Sequence, residues 1–305
     1  MSQSLRAVGL ILVSMVSPGI SGEVPSIPIQ VHRCGVWTVA DSPNFRCCCQ
    51  LSNPVCIQLM ERCEHWLQLL RQTWTEGEAD KTVWNPKCEL VLHPSQTAYN
   101  LALNRPGDTS VGSTQMTFDE GRCVFRRIDL RADAKDWQNG ALPHELTHTV
   151  LAERFRGRPL PRWVDEGMAM LAESEDKRRE RLLDLRRTLD RGRSLPIQQL
   201  LRIDRPPAPE LRDAFYGQSI GLTSWFVERS TPAEFATFVE ELLTNGFEPA
   251  LERHYKLRSV SELQLQWNQA VRDRAEVNWA KSQPYGKSGV SIVSTAGESP
   301  SVETP

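Results

Sequence analysis

The hydrophobic positions change their period near Asn139, which divides the chain into a mixed part and a helical part. Before that point VWTVA, FRCCCQL and CELVLHP are short apolar or alternating runs. CVFRRIDLRAD alternates Val124, Arg126, Ile128 and Leu130 after a turn at Asp119, Glu120 and Gly121. Runs of this length predict β-strands. Between the second and third of them, VCIQLMERCEHWLQLLRQTW places Ile57, Met60, Leu67 and Leu70 at helical spacing, with Asn53 or Pro54 at its start. A long helix is expected there.

After Asn139 every periodic stretch is helical. Asn139 is expected to cap a helix running to Arg156, with Pro143 early enough not to break it, and Gly157, Pro159 and Pro161 then force a turn. RWVDEGMAMLAES is the next helix. A charge-rich one follows from about Asp176 to Arg191, ended by Gly192, then a short one after Ser194 and Pro196 and a longer one from Glu210 to Arg229. Thr231 with Glu234, and Ser259 with Glu262, are capping-box pairs that open two more helices, and Gly246 ends the first of these.

The pattern predicts an α+β fold: a small mixed sheet with helices in an N-terminal subdomain, residues 23–174, and an all-helical subdomain over 175–280. Residues 281–305 are rich in Ser, Gly and Pro without periodicity, so a disordered tail is expected. No internal repeat is present.

Composition narrows the partners. A chain of 305 residues with 40% apolar content can bury a sizeable core. Its 36 Lys and Arg against 38 Asp and Glu leave a net charge of -2, so no global field favours nucleic acid or an anionic membrane. Residues 1–22, MSQSLRAVGLILVSMVSPGISG, read as a signal peptide: Arg6, an apolar run from Ala7 to Val16, then small residues. That run is about half the roughly 20 residues needed to span a bilayer, and no later stretch is apolar enough. An exported protein is expected, periplasmic, secreted or at the cell surface, without a stable membrane span.

Eight cysteines, Cys34, Cys47, Cys48, Cys49, Cys56, Cys63, Cys88 and Cys123, all precede residue 141. An even count in an exported chain points to disulfides, with pairing left open. In the extended stretch around Cys47, Cys48 and Cys49, neighbouring side chains face opposite sides of a strand, and no paired CxxC spacing accompanies them. They read as buried or disulfide-bonded cysteines rather than a metal site.

The chemistry concentrates in ALPHELTHTV, residues 141–150. On a helix His144 and His148 share one face about 6 Å apart along the axis, so both imidazoles can reach one ion. Glu145, about 100° round the helix, sits beside that ion without binding it, where it can take a proton from an activated water. A third protein ligand is needed. Glu166, eighteen residues after His148 in LPRWVDEGMAMLAE, supplies it if the next helix folds back, and Gly167 allows close packing there.

HELTH followed by PRWVDEGMAMLAE resembles the gluzincin metallopeptidases, with HExxH on one helix and a Glu within W-x-x-E-G-x-A on the next. More narrowly it is similar to a bacterial peptidase MA-like group, over about Val31 to Val271. The resemblance implies one Zn2+ held by His144, His148 and Glu166, Glu145 as general base, and a peptide or protein substrate. It also implies a transition-state donor from the later helices, for which Tyr216 in AFYGQS is the candidate, against a core tyrosine. RRIDLRAD resembles the edge strand that holds an extended substrate, against an internal strand of the sheet.

Two features depart from the family. Where the thermolysin-like arrangement has an Asp four residues beyond the third ligand, this chain has Met170, which leaves Asp165 or Glu173 to orient a histidine. The exopeptidase motif G-x-M-E-N is absent, since GSTQM at 112–116 does not match, so endopeptidase action is the default. His32, His65, His93 and His254 lack ligand-spaced partners and are expected in surface or core roles. The rival readings are a non-catalytic zinc-binding scaffold, which would need no Glu145, and a non-peptidase hydrolase using the same metal. Oligomeric state is left open.

Overall fold

Six strands make one sheet: β1 (Gln30–Cys34), β2 (Trp37–Asp41), β3 (Phe45–Cys49), β4 (Cys88–His93), β5 (Gly112–Asp119) and β6 (Arg122–Arg131), in the order β1-β2-β3-β4-β6-β5. The computed structural model describes residues 27–75 and 82–276; the leader expected at 1–22 and the tail expected at 281–305 lie outside them. Strands β3, β4 and β6 run parallel, and the remaining pairs are antiparallel. A parallel pair needs a crossover. Helix α1 (Asn53–Trp74) lies in the one between β3 and β4, and α2 (Gln96–Ala102) follows β4. The fold is therefore mixed α+β.

The central strands are where the apolar runs fall. Leu90 pairs with Ile128 and Leu92 with Leu130, all four buried. Helix α1 buries Leu59, Met60, Cys63, Leu67, Leu70 and Trp74, the three- and four-residue spacing of one helix face. Each such side chain contributes about 1.5–3 kcal/mol on leaving water. Strands β1 and β5 are at the two margins of the sheet and carry mostly exposed or half-exposed residues, so no apolar run marked them in the sequence. RRIDLRAD falls in β6, an interior strand, and just after it, and the edge on that side of the sheet is β5; the edge-strand expectation is corrected on this point.

Eight helices follow: α3 (Ala141–Arg154), α4 (Arg162–Leu171), α5 (Glu175–Asp190), α6 (Ile197–Leu200), α7 (Arg212–Val227), α8 (Pro232–Asn245), α9 (Phe247–Tyr255) and α10 (Val260–Glu276). Asn139 does not cap α3. The N-cap is Gly140, without a side-chain hydrogen bond, and the Asn139 side chain instead accepts from Arg62 at 3.3 Å. The helix stops at Arg154 because Arg156 and Gly157 both take left-handed φ, 52° and 70°. Helix α9 was not anticipated between the two capping-box helices. Thr231 does cap α8, its hydroxyl accepting from the Glu234 amide at 3.1 Å.

Two contacts fix α4. Trp163 is buried among Phe226, Phe235 and Phe247, with ring centroids 6.0, 6.5 and 6.4 Å away. Gly167 lies against α7, where an added Cβ would fall 2.8 Å from the Ser219 carbonyl and 3.0 Å from Thr223 Cβ. The glycine thus serves a close approach to α7. Among the described residues no helix is long and apolar enough to cross a membrane.

All eight cysteines are free thiols, so the expected disulfides are not present in this structure. Cys47, Cys49, Cys56, Cys63 and Cys88 are instead fully buried core groups, the small-hydrophobe role open to a reduced cysteine. Hydrogen bonds from Cys47 and Cys56, with the Leu51 amide, pull the Cys49 thiol well below its ordinary pKa.

Candidate metal centre

Helices α3 and α4 pack together and form one wall of a cleft of about 1000 Å3, which β5 and the start of α7 help to line. His144 and His148, one turn apart on α3, set their Nε2 atoms 3.2 Å apart. Glu166 on α4 brings Oε2 to 3.6 Å from His144 Nε2. One ligand atom from each of the three residues falls within 4.8 Å of the others. Two ligands about 2.0–2.1 Å from one zinc at a tetrahedral angle are about 3.3 Å apart, so separations of 3.2 and 3.6 Å suit a shared cation.

The surroundings orient each donor. His148 Nδ1 is 2.8 Å from Asp165 Oδ1, and His144 Nδ1 is 2.8 Å from Glu173 Oε1, the latter out of line with the ring N–H direction. The Asp165 carboxylate favours a proton on His148 Nδ1, which leaves that ring's Nε2 as the donor atom facing His144 and Glu166. Of the two acids the sequence offered, Asp165 is hydrogen-bonded to His148, and Glu173 lies beside His144 Nδ1 without such a bond. Arg162 Nη2 donates to Glu166 Oε1 at 2.9 Å and leaves Oε2 to face the histidines.

Charge tells the same way. Burial works against protonating either ring, yet Glu166 and Glu173 raise His144 well above its ordinary pKa, and Asp165 raises His148. Burial would raise Glu166, but His144, His148 and Arg162 draw it down to about 2. Glu145, Asp165, Glu166 and Glu173 surround the two imidazoles, with Arg162 paired to Glu166 and Arg181 3.9 Å from Glu173. The residues present fit a divalent cation.

Glu145 is 8% exposed and borders the same cleft. Its Oε2 accepts from the Thr114 hydroxyl on β5 at 2.7 Å. Gly112 makes room for it, since a Cβ there would fall 2.8 Å from Glu145 Oε1. Neither Thr114 nor Gly112 was legible in the sequence, because β5 carries no hydrophobic signature. Tyr216 borders the cleft from α7, half-buried, with Arg181 5.5 Å above its ring. The other histidines lie elsewhere: His93 pairs with buried Asp129 at 2.7 Å, and His254 with Glu241 at 2.9 Å.

No protein-family model matches the chain, and no curated protein matches it.

Proposed function

We propose that the chain is a zinc-dependent peptide hydrolase of gluzincin type, acting as an endopeptidase. The observation that carries the reading is the convergence of His144 Nε2, His148 Nε2 and Glu166 Oε2 beside a carboxylate, Glu145, that is held by Thr114 and left out of the ligand set. A structural zinc site is closed by four protein ligands, whereas three ligands with a free carboxylate leave room for water and substrate.

Bound zinc would supply Lewis acidity toward a carbonyl oxygen and a water molecule. Glu145 would accept the water's proton and return it to the leaving amine. Thr114 would hold the Glu145 carboxylate in one rotamer, so that its other oxygen faces the cleft. Tyr216 would place a hydroxyl donor toward charge developing on the carbonyl oxygen. Strand β5, whose outer edge pairs with no strand among the described residues, would take an extended peptide by backbone hydrogen bonding. Export through the 1–22 leader belongs to the same reading.

The test is cleavage of a broad peptide library by zinc-loaded wild type and Glu145→Gln. Turnover by wild type that is lost in the variant supports the hydrolase. Bound zinc with no turnover in wild type favours the non-catalytic scaffold.

A further inference from the structure

A second set of metal-binding atoms lies outside the cleft. Cys47 and Cys49 are two apart on β3, so both point to the same side of the sheet, the side covered by α1. Cys56 is in the first turn of α1 and points back at them: its Sγ is 3.3 Å from Cys49 Sγ, and all three sulfurs fall within 4.8 Å of one another. Each of the three residues is 0% exposed, and none borders the cleft. Cys48, between the two strand members, faces the other way and is outside the group.

We propose that Cys47, Cys49 and Cys56 form a second metal site, which takes one thiophilic cation content with three thiolates, Cu+ in preference to Zn2+, and clamps β3 to the start of α1. Three thiolates about 2.3 Å from one ion would be about 3.8–4.0 Å apart, so sulfurs already within 4.8 Å need shift by less than an ångström. The donor set is all sulfur. It suits a soft cation and gives nothing to Ca2+ or Mg2+, which take oxygen ligands. A disulfide explains the arrangement less well. Cys47 and Cys49 lie along one strand with parallel Cβ directions, a poor geometry for bridging. A Cys49–Cys56 bridge would leave the third sulfur packed against it with no role. Because the sulfurs are fully enclosed, the ion enters as the chain folds.

The experiment uses the full chain, refolded anaerobically under reductant with Zn2+, Cu+ or Co2+ in separate arms. His144→Ala/His148→Ala protein, which lacks the cleft site, is expected to retain one ion per chain by elemental analysis, and the Zn2+ and Cu+ arms show which is kept. Its Co2+ form is expected to show thiolate-to-cobalt charge transfer in the near ultraviolet, lost in Cys49→Ser. Wild type provides a readout independent of how the variants fold: peptide mapping after alkylation should find Cys47, Cys49 and Cys56 protected until a chelator and denaturant are added together. The proposal is overturned by a metal-free double-histidine variant, by a Co2+ spectrum without thiolate bands, by equal alkylation in denaturant of metal-loaded and metal-free wild type, or by a Cys49–Cys56 disulfide in protein kept reduced.

Discussion

The Thr114 hydroxyl lies 2.7 Å from Glu145 Oε2 and 3.1 Å from the Glu145 carbonyl oxygen, so one side chain of the edge strand ties β5 to α3 and holds the carboxylate. Thr114→Val keeps the shape and removes the donor. A hydrogen bond to a charged group contributes about 1.5–3 kcal/mol, so turnover should fall on the order of 10- to 100-fold. Zinc content should stay at the wild-type level, which elemental analysis beside steady-state kinetics would check.

Glu173 and Asp165 should tune metal affinity without binding metal. Loss of an acid beside a ligating histidine costs roughly 10- to 100-fold in affinity. Glu173→Gln is expected to weaken zinc more than Asp165→Asn, because the Glu173 side chain is 6% exposed and that of Asp165 36%. Competition against a chromophoric chelator would rank the two.

Gly167→Ala should disturb the fold and the site together. The new methyl would meet the Ser219 carbonyl and Thr223 on α7, forcing α4 outward and carrying Glu166 with it. Overpacking of this kind destabilises by about 1–3 kcal/mol. Thermal unfolding should shift down and zinc affinity should fall; an unchanged affinity would mean that α4 absorbs the methyl without moving Glu166.

Glu241 gives a pH prediction away from the metal. Burial would raise its carboxyl, but hydrogen bonds from His254 and Asn245 and the charge of Arg253 hold it below the ordinary carboxylate range. A depressed folded pKa contributes stability that is present above the unfolded value and is lost as pH falls through the folded value. Glu241→Gln should therefore unfold at a lower temperature than wild type at neutral pH, and the gap should close in acid below the usual carboxylate pKa. Melting curves across that range would show it.

Much of this arrangement was legible in the sequence, for reasons particular to each element. The central strands and α1 announce themselves because the sheet is covered and α1 buries a single face. His144, Glu145, His148 and Glu166 were legible because four-residue spacing and a Trp-anchored second helix are local signals. The margins were not: β1 and β5 bury too little to leave a pattern, and so Thr114 and Gly112 stayed hidden. Cys56 was hidden for another reason. Its approach to Cys47 and Cys49 depends on how α1 folds back on β3, a tertiary contact with no CxxC spacing to mark it.

The metal centre itself is tested most directly by anomalous diffraction at the zinc edge from crystals of zinc-loaded wild type. A single peak in the cleft, within bonding distance of His144 Nε2, His148 Nε2 and a Glu166 oxygen, is the expected result. A cleft without a peak at full zinc loading, or a peak that Glu166 does not reach, would contradict the account.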